Sequence, residues 1–171
     1  LIANVLHEQV GASRQFAEVL RAVAGDPELS LMHRDYAIQH LGVLWRNARG
    51  QTELRQSVVL SLKEMVGRTD ELQAVALLAL HQLGGSETPS TRQKFAVPDK
   101  EMGEVVEKLL ASAPGSIPVA ARMTAVRVAG ERGISGMRGQ LLGLCLDQSE
   151  TTTLRMAAVA ALGQMGNPED I

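Results

Sequence analysis

Apolar residues recur along this chain at helical spacing. Phe16, Val19, Leu20 and Val23 step by three and four, as do Leu54, Val58, Leu62 and Met65. Met102, Val105, Val106, Leu109 and Leu110 form a third stripe, and Met137, Leu141, Leu144 and Cys145 a fourth. Each stripe marks a helix with one apolar side. Between the stripes lie segments that are apolar nearly all round: 36–44, 72–80, 124–129 and 156–162. A helix apolar on most sides must be covered on more than one face. Alternation of one-sided and many-sided helices is what stacked helix pairs produce. No segment shows strand alternation bounded by turn residues.

Turn chemistry divides the pattern. Gly25-Asp26-Pro27 reads as a helix end, an N-cap and a first-turn proline, and Gly166-Asn167-Pro168 repeats it. Asp99, after Pro98, can cap the next helix, and Gly50, Gly67, Gly84 and Gly133 mark further stops. The spacing predicts nine helices, roughly 1–10, 13–24, 29–48, 52–66, 70–84, 99–112, 117–132, 136–147 and 151–165.

Self-comparison exposes a repeat. With residues 155–163 placed under 34–42, an Arg, an Ala, a β-branched residue, a Leu and a Gly coincide. The same offset sets Asp147 under Asp26, eight residues before each Arg. Weaker copies begin at Gln73, which runs to Leu83-Gly84, and at Arg122, whose Arg-Met and Ala-Val pairs match Arg155-Met156 and Ala158-Val159. Neighbouring copies start 39, 49 and 33 residues apart, and the long interval contains an insertion near 85–98.

Residues 144–171 carry a family resemblance. Asp147, Arg155, the alanine-rich seam 157–161, Leu162-Gly163 and the turn Gly166-Asn167-Pro168 resemble a HEAT-like repeat, of the kind also seen in phycobilisome-lyase-type proteins. The copy at 26–45 matches in part, with Trp45 where the terminal glycine belongs, and the middle copies are degenerate. The resemblance implies an all-α fold, a HEAT/armadillo-like α–α superhelix of about four and a half helix pairs. Residues 1–171 then form a single repeat domain. Arg34, Arg122 and Arg155 fall at one repeat position. By resemblance they tie a helix start to an acidic residue or carbonyl in the adjacent unit. The last repeat stops where its second helix should begin, and the chain starts at Leu1 rather than Met. A piece of a longer array is therefore expected.

Composition fits a helical stack. Hydrophobic residues make up 45% of the 171 but aromatics only 2%, so the core must be Leu, Val, Ala and Met. Small side chains allow close helix packing. A net charge of −2 and a pI near 6.1 are not the footprint of nonspecific nucleic-acid binding. HEAT-like DNA glycosylases show that such an architecture can bind DNA, but aromatics are too sparse here to build a base-reading site. No apolar run reaches the ~18 residues of a membrane span.

Candidate chemistry is scarce. His33 and His40, seven apart, have no carboxylate at ligand spacing on their face, whereas zinc needs three or four converging ligands. Some HEAT-type iron hydroxylases carry a His-Glu pair in each of several repeats; here only His7-Glu8 has that form, since His33, His40 and His81 precede Arg34, Leu41 and Gln82. Cys145 lies on an apolar stripe and reads as a structural thiol. No phosphate loop and no nucleophile elbow is present. No catalytic residue, metal ligand or cofactor is expected.

Two places are candidates for partner contact. The insertion carries Arg92, Lys94 and Phe95; either it meets a partner, or it is a flexible segment with Phe95 tucked onto the stack. Arg127, Arg132 and Arg138, with Arg122 before them, form a basic run that follows the acidic helix of Asp99, Glu101, Glu104 and Glu107 along the chain. Such a run is either a strip that receives an acidic segment or a solvated face. The expected function is a noncatalytic protein-binding scaffold. The alternatives are an accessory module of a larger enzyme and a nucleic-acid-binding array.

Overall fold

The computed structural model describes residues 2–84 and 96–166. Eight α-helices account for most of them: α1 Ile2–Gly25, α2 Leu31–Asn47, α3 Thr52–Val66, α4 Gln73–Gln82, α5 Asp99–Leu110, α6 Val119–Arg132, α7 Arg138–Leu146 and α8 Thr152–Gln164. A short 3-10 turn, Ser135–Met137, leads into α7. Among the described residues there is no strand. The fold is all-α.

The two helices expected over 1–10 and 13–24 are one. Helix α1 runs unbroken through Gly11. A lone glycine inside a helix costs only about 1 kcal/mol relative to alanine, and no proline follows to stop the ladder. The helix ends instead at Gly25, where Pro27 forbids continuation. Four helix pairs are therefore described in place of about four and a half.

The turns explain where the later helices begin. Asp26, Asp70 and Asp147 each accept the amide two residues on: Glu28 at 2.9 Å, Leu72 at 3.0 Å and Ser149 at 2.8 Å. This Asx turn precedes α2, α4 and α8 alike. Ser30 and Thr151 then cap α2 and α8 by accepting the amides of His33 and Leu154. Gly133 closes α6 in the left-handed region, at φ +60°, while the Ile134 amide reaches back to the Ala129 carbonyl.

Packing follows the sequence alternation. α1 packs on α2, α3 on α4, α5 on α6 and α7 on α8. The even-numbered helices also pack in succession, α2 on α4, α4 on α6 and α6 on α8. The odd-numbered helices touch one another far less. Ion pairs link some of them at the surface, Arg14 of α1 with Glu53 of α3 and Lys63 of α3 with Glu101 of α5. The one-sided stripes thus belong to the outer helices and the all-round apolar segments to the inner ones.

One register runs through the inner helices, counted from Arg34, Gln73, Arg122 and Arg155. Three residues on stand Ala37, Ala76, Ala125 and Ala158, all buried. Seven on stand Leu41, Leu80, Ala129 and Leu162, also buried. The alanines let neighbouring backbones approach, and each fully buried leucine contributes about 1.5–3 kcal/mol. Eight on stand Gly42, His81, Gly130 and Gly163. At Gly130 an added Cβ would lie 2.7 Å from the Cα of Ala161, so α6 and α8 touch backbone to backbone.

Candidate interaction face

Of the residues that head the register, Arg34 and Arg122 reach the next pair, whereas Gln73 and Arg155 bond the end of the preceding helix in their own pair. Arg34 donates from Nε to the Ala24 carbonyl at 3.2 Å and from Nη2 to Asp70 of the next pair at 3.1 Å. Arg155 donates from Nε to the Cys145 carbonyl, ten residues back, at 3.0 Å. Arg55, at the start of α3, makes the same ten-residue bond to the Trp45 carbonyl at 3.0 Å and lies over the indole ring. Gln73 stands in for the arginine and donates to the Val66 carbonyl at 2.8 Å. Arg122 differs: its guanidinium forks onto Glu150 of the next pair, with both side chains buried. Paired and forked, such a buried arginine is fixed in place.

The basic run does not form one strip. Arg132 is buried, and its Nε donates to Nδ1 of His81 at 3.0 Å. Its Nη1 donates to the Val97 carbonyl at 2.8 Å, with Asp99 at 3.4 Å. A guanidinium can only donate, so His81 Nδ1 accepts, and the ring proton sits on Nε2, which donates to Glu131 at 2.8 Å. Burial is the main reason that His81 resists protonation; the charge of Arg132 adds to it, while the bond to Glu131 opposes it. Arg127 is exposed and donates to Glu131 at 2.7 Å, and Arg138 is half-buried. Of the arginines expected to meet a partner, Arg132 is thus withdrawn into the protein, and Arg127 stays at the surface.

This cluster also holds residues 96–99, where the described chain resumes. The Ala96 amide donates to the Leu83 carbonyl at 3.0 Å, and Arg132 holds Val97 and Asp99. Arg92, Lys94 and Phe95 lie outside the described residues. Trp45, Thr52, Arg55, Gln56, Val59, Leu60 and Ala96 line a groove of about 510 Å³.

His33, His40 and the thiol are locally engaged. His33 bonds Ser30 at 2.7 Å; His40 bonds the Tyr36 carbonyl at 2.9 Å and stacks on the Tyr36 ring. Cys145 is half-buried against the core, and burial pushes its thiol up despite the nearby Arg155 charge. Among the described residues no three His, Cys, Asp or Glu side chains gather as a metal-binding group, and no helix is long and apolar enough to cross a membrane.

What the inner helices share outwardly is a face. Register positions two, five and nine point away from the outer layer. They are Tyr36, Gln39 and Val43 on α2, and Val75, Leu78 and Gln82 on α4. On α6 they are Thr124, Arg127 and Glu131, and on α8 Ala157, Ala160 and Gln164. All twelve are exposed or half-buried. Between α6 and α8 the face dips into a groove of about 370 Å³. Ala157, Ala160 and Ala161 lie along it, with Met123, Thr124, Arg127 and Gln164. Sequence reasoning reached only Arg127 of these residues. The signal for the rest was the repeat register itself, read outward rather than for its buried positions. Comparison with protein-family models, curated proteins and solved structures finds no match.

Proposed function

We propose that this chain is a HEAT-like repeat array, a short α–α superhelix, that acts as a noncatalytic scaffold and grips a protein partner along its inner helices. One observation carries the reading. Four successive helix pairs keep one residue register, with alanine buried at the same position in each and side chains of mixed character presented at the same outward positions. Repetition of this kind builds an extended ridged surface. The polar and apolar mixture along it suits a protein surface better than a polyanion. Arg122, Arg127 and Arg132, which a phosphate backbone would need, are paired within the chain.

Site-specific photo-crosslinking in the native cells tests the reading. A crosslinker at Gln39, Leu78, Arg127 or Ala160 should trap one and the same protein. A crosslinker at Glu18 or Glu104, exposed on α1 and α5, should trap none. Adducts that are absent from the inner helices, or identical at both sets of sites, contradict it.

A further inference from the structure

We infer that the side of α8 bearing Met156, Val159 and Gly163 is an open stacking surface for one more helix pair of the same repeat type. The inference rests on the array reading. Val159 stands four residues after Arg155 in the shared register. Its counterparts Ile38, Leu77 and Val126 are fully buried, whereas Val159 is 60% exposed. Each buried counterpart sits on an inner helix that is followed by another; among the described residues, α8 packs chiefly on α6 and α7. The glycines differ in the same sense: Gly42 and Gly130 are buried, whereas Gly163 is exposed. Gly130 is pressed against Ala161 of the following pair, but Gly163, its counterpart, has nothing within 4 Å of where a Cβ would be. Met156 is 68% exposed, while Met123 at the same position is half-buried.

These residues specify the occupant. What covers Val126 and Gly130 is a helix carrying Ala157 and Ala161. The helix that covers Gly163 must therefore be small at the facing position, as Ala161 is opposite Gly130. A second copy does not meet the requirement by stacking head to tail. Its α2 carries His40 there, stacked on Tyr36 at 3.8 Å, and the two rings hold the backbones apart.

The test appends a second copy of residues 134–166 directly after Gly166 and follows thermal unfolding of the original and extended chains, with sedimentation velocity on the original. The extended chain should melt in one transition at a higher temperature. Val159→Glu should leave the melting temperature of the original chain within about 1 °C but lower that of the extended chain by about 5 °C or more. A separately melting appendage, or an equal effect of Val159→Glu in both chains, overturns the inference. So does self-association of the original chain that Val159→Glu abolishes, because a second copy would then cover the face. Val126→Glu in the original chain separates this from failure of the array reading. If it leaves the melting temperature unchanged, the register itself is wrong.

Discussion

Fifty-one residues separate His81 from Arg132, yet the two share a hydrogen bond in the interior. Where the register places glycine on α2, α6 and α8, it places His81 on α4, which bonds Glu131 and Arg132 of α6 through polar side chains. This has a consequence for stability. The folded chain holds His81 below its ordinary value of 6.5, chiefly through burial. The unfolded chain therefore binds the proton more readily. The contribution of a neutral His81 is whole above pH ~6.5 and is lost as pH falls toward the folded value. Denaturant unfolding at about pH 7.5 and pH 5 should show a larger loss for the native chain than for His81→Gln; equal losses would exclude His81 as the source. Glu131 does not confuse that window. Burial works to raise its carboxyl, but hydrogen bonds from Arg127 and His81 outweigh it and hold the group below its ordinary 4.5. Sequence made Arg34 and Arg122 legible as links to the next pair, whereas Arg155 donates to the Cys145 carbonyl within its own pair. It did not make Arg132 legible. Arg127 and Arg132 are five residues apart, which on a helix turns them about 140° from each other, so a run along the chain is not a strip on the surface.

At the scale of elements, all-round apolar segments and one-sided stripes were legible because the number of covered faces is written in the residue pattern. The break at Gly11 was misread because glycine alone is a weak stop, whereas Gly25 is followed by Asp26 and Pro27. Glycine matters more at Gly130. Alanine there raises helix propensity by about 1 kcal/mol, yet its Cβ would fall 2.7 Å from the Ala161 Cα and 2.8 Å from its Cβ. Backbone cannot yield as a flexible side chain can. Gly130→Ala should destabilise the chain by about 1–3 kcal/mol in a denaturant titration. Gly139→Ala on α7, with nothing within 4 Å, should be neutral or stabilising. Stabilisation by Gly130→Ala would mean that α6 and α8 do not approach so closely. The outward face escaped the sequence reading at this scale, because the register was used to find what is buried and the face is its complement.

At the scale of the molecule, the order in which the helices pack separates a stack from a bundle. Among the described residues the inner helices pack chiefly in succession; the proposed open stack would have a face that lengthens with each pair. A closed bundle would instead bring the first inner helix back to the last, leaving neither a common face on α2 through α8 nor an uncovered side on α8. Distances between spin labels separate the two arrangements directly. Labels go at Gln39, Arg127 and Ala160, one shared register position on α2, α6 and α8. With neighbouring helix axes about 8–10 Å apart, the separation should be about 20 Å from 39 to 127 and about 30 Å from 39 to 160. A separation from 39 to 160 equal to or shorter than that from 39 to 127 would contradict the stack.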